Sequence, residues 1–284
     1  MTDRGLIRFD VVPSVFDVDA RAWDALVPED NFYLSHAWLR AMSRGWSGDQ
    51  SCIEAAIDDG ELMGGLPLYV MDEPGFGPYD PTEVLSGLLR HPVQHPLHPF
   101  VLGGSRLGYR TELLLPSAPP PTRRAVAAGL LDEMEAQARR HGSPACGLLY
   151  LSDRALDELL PMLARKGYLV YLETFEVRLP VSWGSFTEYL GSLSAKRRNA
   201  VKRELARFER SGLQVIQERQ PGHEPLMASL LANVQRRYGN EADEAALERS
   251  LKFSSQEAGS YSVLFLLKND TRVIGYCLAY RWRE

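Results

Sequence analysis

The chain has 284 residues, 45% of them hydrophobic and 24% charged, with a formal net charge of -5, which is enough to bury one large core or two ordinary ones. A negative total excludes a protein coated with nucleic acid over its whole surface, so DNA is not an expected partner and any phosphate contact is confined to a patch. No apolar run approaches the roughly 20 residues that span a bilayer, and MTDRGLIRFDVV has no apolar signal core, so no membrane span and a cytoplasmic location are expected.

Leu6 to Val12 alternates as a strand and Val18 to Val27 carries helical spacing. Asn31 to Arg44 reads as a second helix, with Ser35 as N-cap and Trp38, Leu39 and Met42 on one face. Cys52 to Ile57 and Glu61 to Met71 flank Asp58-Asp59-Gly60, a hairpin signal. Asp72 to Pro99 is rich in Pro and Gly and predicts a long excursion with one short helix over Thr82 to Leu89. Strands are expected at Phe100 to Gly103 and Thr111 to Leu115. Pro116 to Pro121 reads as a spacer, and Thr122 to Arg140 as a helix opened by a Thr cap. A buried strand over Ala145 to Leu151, a helix over Asp153 to Lys166 ended by Gly167, and the start of a strand at Tyr168 to Tyr171 complete this part.

A second series begins at Thr174. It comprises a strand over Phe175 to Leu179, helices over Ser185 to Leu193 and Ala195 to Arg210, and a strand over Leu213 to Glu218 after a Gly212 cap. Helices over Glu224 to Tyr238 and Glu241 to Ser254 follow, then strands over Tyr261 to Lys268 and Val273 to Tyr280 around an Asn269-Asp270 turn. Both series mix helices and strands, so an α/β (α+β) class is expected, with mixed sheets flanked by helices and two domains over 1-172 and 173-284.

The densest charge lies in LSAKRRNAVKRELARFERSG, from Leu193 to Gly212. Lys196, Arg197, Arg198, Lys202, Arg203, Arg207 and Arg210 face only Glu204 and Glu209. Val201, Leu205 and Phe208 recur at spacings of four and three, so the cations fan over the exposed faces of one amphipathic helix. Glu204 is placed to pair with Arg207, which still leaves several cations uncompensated. Such a helix is either a solvated face with snorkelling arginines or a phosphate-binding element.

Other chemistry is sparse. Cys52, Cys146 and Cys277 sit singly in apolar runs, which suits small buried hydrophobes and implies neither disulfides nor a zinc knuckle. His91, His95 and His98 have ligand spacing only on a helix, which Pro92, Pro96 and Pro99 forbid, so no metal is expected and the loop reads as a substrate contact. Gly103 to Arg110 has the composition of a phosphate nest, read first as a bulged hairpin and second as an anion contact. No Ser-His-Asp order, HExxH or Cys-His pair supports a hydrolase or a metalloenzyme.

The run W-x-x-F-x-x-Y-L-x-x-L-S-x-K-x-R-N from Trp183 to Asn199, closed by Gly212 and a short apolar strand, resembles the start of the second domain in FemAB-like peptidoglycan aminoacyltransferases, relatives of the GNAT acyltransferase superfamily. The N-F-Y-L-S-H-A-W-L segment from Asn31 to Leu39 is similar to the one that opens their acceptor cleft. The resemblance implies tandem GNAT-like domains, and places Ser35 and Trp38 at the acceptor and Arg197, Arg198 and Arg203 at substrate phosphate. It also brings Arg237 and Tyr238, at the end of the following helix, toward the acceptor. It leaves the catalytic residue unassigned, and the second domain reads as incomplete at its C-terminal end, as a fragment or as a chain completed by a partner or a homo-oligomer.

The implied chemistry is direct attack of an amine on an activated ester or thioester. Holding both reactants supplies about 7–11 kcal/mol and a placed amide donor about 3–4. The expected donor is an aminoacyl-tRNA, with acyl-CoA as the alternative, and the acceptor is an amine of a peptidoglycan precursor or peptide-like metabolite. No resident cofactor is implied. A reading of another class is a non-catalytic binding module or half of a two-chain complex.

Overall fold

The computed structural model describes residues 7–45, 50–74, 79–94 and 97–283. Strand β1 (Arg8–Val12) leads into helices α1 (Ala20–Leu26) and α2 (His36–Gly45), then into the hairpin of β2 (Gln50–Asp58) and β3 (Glu61–Met71). Both of these helices start on a cap. The Asp19 carboxylate accepts from the Ala22 amide at 2.7 Å, and Ser35 Oγ accepts from the Trp38 amide at 3.2 Å. The hairpin turns where expected, with Asp59 and Gly60 both left-handed at φ 48° and 83°.

After α3 (Pro81–Leu89), strand β4 (Phe100–Gly103) pairs antiparallel with β3, and helix α4 (Pro120–Arg140) crosses over to β5 (Ala145–Leu148), which lies parallel to β4. Helix α5 (Asp153–Arg165) follows. The result is a five-stranded mixed sheet in the order β1-β2-β3-β4-β5. Leu130, Leu131 and Met134 of α4 and Leu159 and Leu163 of α5 cover one face, over Leu66, Leu68 and Val101. Trp23, Leu34 and Leu39 cover the other. Gly64 and Gly65 permit both layers to close on β3. A Cβ at Gly64 would stand 2.5 Å from Val126 of α4, and one at Gly65 2.4 Å from the Trp23 ring on the opposite face.

The second half contains α6 (Phe186–Ser192), α7 (Ala195–Arg210), β6 (Gln214–Glu218), α8 (Glu224–Arg237), α9 (Glu244–Ala258), β7 (Ser262–Lys268) and β8 (Val273–Tyr280). Its sheet is antiparallel in the order β6-β7-β8, with Met227 of α8 packed on Leu264 and Leu266. The strand, two helices and hairpin of β6-α8-α9-β7-β8 repeat the element order and strand pairing of β1-α1-α2-β2-β3. The corresponding helices α2 and α9 pack on each other, and Arg40 and Arg44 both reach Glu257, at 2.7 and 3.0 Å. An aromatic cluster joins the halves. Phe32 stacks on Tyr280 with centroids 4.6 Å apart, and Trp38, Tyr261 and Trp282 surround the pair.

Several expected elements differ. Thr111 to Leu115 forms only isolated bridges, Thr111 with Leu151 and Leu114 with Gly65. Helix α4 starts at Pro120 behind Pro119, not on a Thr122 cap, because the prolines preset the helical φ of its first turn. The strand after Pro144 ends at Leu148, before left-handed Tyr150. No strand forms at Tyr168 to Tyr171 or Phe175 to Leu179, since nothing pairs with that stretch of backbone among the described residues. The segment from Gly103 to Arg110 is an irregular excursion, not a bulged hairpin.

Candidate functional site

Helix α7 is built locally and stands almost unsupported. Ser194 Oγ accepts from the Arg197 amide at 3.4 Å, Arg198 returns a guanidinium hydrogen bond to the Leu193 carbonyl at 3.2 Å, and Gly212 at φ 71° ends the helix. Neither α6 nor α7 contains a buried residue, and Leu205 on the apolar stripe of α7 is exposed. Among the described residues no salt bridge involves α7, so the expected Glu204–Arg207 pair is not formed. All seven cations therefore keep their charge for an external anion.

Their arrangement has two parts. At 100° per residue, Lys196, Arg203, Arg207 and Arg210 fall within one narrow arc, opposite Val201, Leu205 and Phe208. This stripe runs about 21 Å along the helix axis. Beside it, Lys196, Asn199, Lys202, Arg203 and Ala206 line a shallow open concavity. Arg237 and Tyr238, at the end of α8, are exposed, and no hydrogen bond or ion pair joins them to Arg197, Arg198 or Arg203.

Ser35 and Trp38 lie elsewhere, buried at the aromatic junction of the two halves. Ser35 caps α2, and the Trp38 indole donates to the Arg106 carbonyl at 3.2 Å. His36 is also engaged by the protein, through Nε2 to the Val15 carbonyl at 2.9 Å, while its amide donates to Asp24 at 2.8 Å. His98 joins Asp80 at 2.9 Å and the Met71 carbonyl at 3.2 Å; His95 lies outside the described residues. No cluster of three or more metal-ligating side chains occurs among the described residues.

A second feature escapes the sequence. Tyr79, Tyr109 and Tyr150 form a mutual ring triad with centroids 5.1–5.3 Å apart, and the Tyr109 amide donates to the Tyr79 hydroxyl. The triad stands beyond the C-terminal ends of β4 and β5, where Leu107, Tyr109 and Tyr150 all hold left-handed backbone at φ 61°, 47° and 59°. Such strain in non-glycine residues concentrates at functional sites. Tyr109 and Tyr150, with Tyr171, line a cavity of about 1300 Å³ between β5, α5 and residues 168–178. Burial, then the Glu173 charge, pushes the Tyr150 hydroxyl up to about 12, so it is a hydrogen-bond donor and not a base at neutral pH.

The cavity rim is an ion network. Arg110 bonds Asp30 at 2.8 Å and Glu112 at 3.1 Å, Arg154 bonds Glu112 at 2.7 Å, and Arg178 bonds Asp30 at 3.1 Å. Burial alone would raise the Asp30 carboxyl, and the hydrogen bond and charge of Arg110 more than reverse this, holding it below the usual range. Arg106 is fully buried with its guanidinium 5.8 Å from the centre of the Tyr69 ring, and burial lowers its pKa to about 10. The basic side chains of the glycine-rich segment thus serve the fold. The sequence signal available for the triad was three tyrosines in loops rich in Gly and Pro, without any indication that they meet.

No protein-family model matches the sequence, and no curated protein matches it. Among solved structures the chain is similar to FemX, with a TM-score of 0.53 at 16% identity, over 89% of this chain and 57% of that one. The resemblance to FemAB-like transferases thus holds at the level of the fold, over little more than half of the FemX chain. Looser alignments are with a ribosomal-protein-alanine N-acetyltransferase from Brucella melitensis biovar Abortus 2308 (TM-score 0.36, 13% identity, 61% of this chain and all of that one) and an aminoglycoside acetyltransferase from an uncultured soil metagenomic sample (TM-score 0.37, 17% identity, 62% and 99%).

Proposed function

We propose that the chain forms part of an acyltransferase that makes an amide bond, with α7 holding the phosphates of an aminoacyl-tRNA donor and an amine of a peptidoglycan precursor or peptide-like metabolite as acceptor. The observation that carries this reading is the set of seven cations on α7 without an ion-pair partner among the described residues. A stripe about 21 Å long matches an extended phosphodiester backbone better than one compact diphosphate. The shallow concavity around Lys196, Asn199, Lys202 and Arg203 favours the second reading, an acyl-CoA donor whose phosphates seat in one place. In either case the reaction joins the acceptor nitrogen to the donor carbonyl, releases the tRNA hydroxyl or the CoA thiol, and sheds the amine proton.

Labelled charged tRNA and acyl-CoA, each incubated with protein and candidate amines, separate the donors. RNase treatment abolishes product formation if tRNA is the donor; product that survives RNase rules tRNA out. The joint replacement of Arg203, Arg207 and Arg210 by Gln is expected to lower the slope of log affinity for tRNA against log salt by about two, whereas Arg197 and Arg198, which fall on the side of Leu205 and Phe208, should contribute less. Folding stability should stay within about 0.5 kcal/mol of the parent. An unchanged slope would make α7 a solvated surface helix.

A further inference from the structure

Helix α7 has an amphipathic design and no core to serve. Val201, Leu205 and Phe208 fall within an arc of about 60° around the helix, yet no residue of α7 is buried and Leu205 is 40% exposed. Helix α6 before it is alike: it buries nothing, Phe186 is 54% exposed, and the Trp183 and Phe186 rings both meet Tyr189, with centroids 5.0 and 5.7 Å away. Phosphate binding accounts for the cations of α7 but not for this apolar stripe, because Lys196, Arg203, Arg207 and Arg210 lie on the opposite side of the helix. A ligand on one side leaves the other in water.

What surrounds the stripe selects the surface that covers it. Arg197 and Arg198 flank it, one on each side, with Glu204 and Glu209 next outward. From Trp183 to Gly212 seven cations stand against three carboxylates, Glu188, Glu204 and Glu209, in a chain whose net charge is -5. That local excess is complementary to an anionic surface and attracts it within a screening length. Arginine stems run along apolar surface while their guanidinium groups stay at the polar level, and Trp and Tyr rings settle at the boundary between apolar and aqueous phases. A narrow apolar face with basic flanks and neighbouring aromatic rings is the composition of a helix that lies in a bilayer interface. No described helix is long and apolar enough to cross a membrane, so the element lies on the bilayer and does not span it.

We infer that α6 and α7 form a peripheral docking element for a bilayer of anionic lipid, with Val201, Leu205 and Phe208 set into the boundary between headgroups and acyl chains. Arg197 and Arg198 meet lipid phosphates from the two flanks, and Arg198 keeps donors beyond the one given to the Leu193 carbonyl. Lys196, Arg203, Arg207 and Arg210 then face water, so donor phosphates bind while the protein is on the membrane. The inference does not rest on the identity of the acyl donor, because the two sides of α7 act independently.

Cosedimentation of the intact chain with vesicles of phosphatidylcholine, alone or mixed with an equal part of phosphatidylglycerol, tests this. The anionic vesicles should bind at least about tenfold more tightly than the neutral ones. Joint replacement Leu205→Gln and Phe208→Gln should lower that binding at least about tenfold, with the unfolding transition and the salt slope for tRNA unchanged. The slope, read on the same variant, separates this outcome from a failure of the donor reading. A parent chain that stays in the supernatant with both kinds of vesicle would overturn the inference. Vesicle binding that the double variant retains in full would also overturn it, by reducing the contact to headgroup phosphates on the cationic side. A dimer that forms without vesicle binding and is lost in the double variant would assign the stripe to a second copy instead.

Discussion

Helices α4 and α7 are the two longest in the molecule among the described residues, and they are held in opposite ways. Seven of the 21 residues of α4 are buried, and its apolar positions close the core over β3 and β4. None of the 16 residues of α7 is buried, and its stability rests on the Ser194 cap, helix-forming residues and the C-terminal turn at Gly212. Tertiary packing is the usual source of helix stability in proteins. A helix that persists without it, with seven cations unpaired among the described residues, is exposed as an external ligand would require, whereas α4 is packed into the fold.

The sharpest way to break this comparison is to truncate one apolar side chain on each helix. Leu130→Ala on α4 removes a fully buried side chain and should destabilise the protein by about 2–5 kcal/mol in denaturant unfolding. Leu205→Ala on α7, already exposed, should change stability by less than about 0.5 kcal/mol. Comparable losses at the two sites would show that α7 is packed in solution and that its cations are not free.

The parts of this contrast readable from sequence are those set by neighbouring residues. The turn at Asp59-Gly60, the cap at Ser35 and the left-handed Gly212 all appear where expected, because each depends on a few residues of local chemistry. The cationic character of α7 was equally legible. Period two at Phe175 to Val181 encodes a strand but not the presence of its neighbour, so the structure leaves that stretch unpaired. The tyrosine triad and the Asp30–Arg110–Glu112–Arg154 network were not legible at all. They assemble residues from the loops at 30, 79, 110 and 150, and no local pattern records those meetings.

A smaller effect separates the halves by their response to solution conditions. Glu54 on β2 is fully buried under α4, accepting from the Gln137 amide at 2.7 Å through Oε1, with no partner for Oε2 among the described residues. Burial raises its pKa above the ordinary 4.5, and the Gln137 hydrogen bond only partly offsets this. Above that ordinary value the folded chain therefore holds a proton that the unfolded chain has released. The contribution to stability is complete below pH 4.5 and is lost as pH rises through the folded value. Glu54→Gln keeps an acceptor for Gln137, and should raise stability near neutral pH by roughly 1 kcal/mol while flattening the dependence over that window. A variant with an unchanged pH profile of unfolding would show that the carboxyl is solvated. This pH response belongs to the packed half, as the salt response of binding belongs to α7.

The smallest expected effect is the most specific to α7. Ser194→Ala removes the hydroxyl that accepts from the Arg197 amide, a change that lowers helix stability by about 1 kcal/mol. Because α7 contributes no buried residue, that loss should leave global unfolding almost unmoved and appear as faster amide exchange confined to the first turns of the helix. The same fraying loosens Lys196 at the N-terminal end of the stripe, so phosphate-dependent binding should weaken severalfold although every cation remains. A global loss equal to the local one would place α7 in the cooperative core, and the division between a helix for the fold and a helix for the ligand would fail.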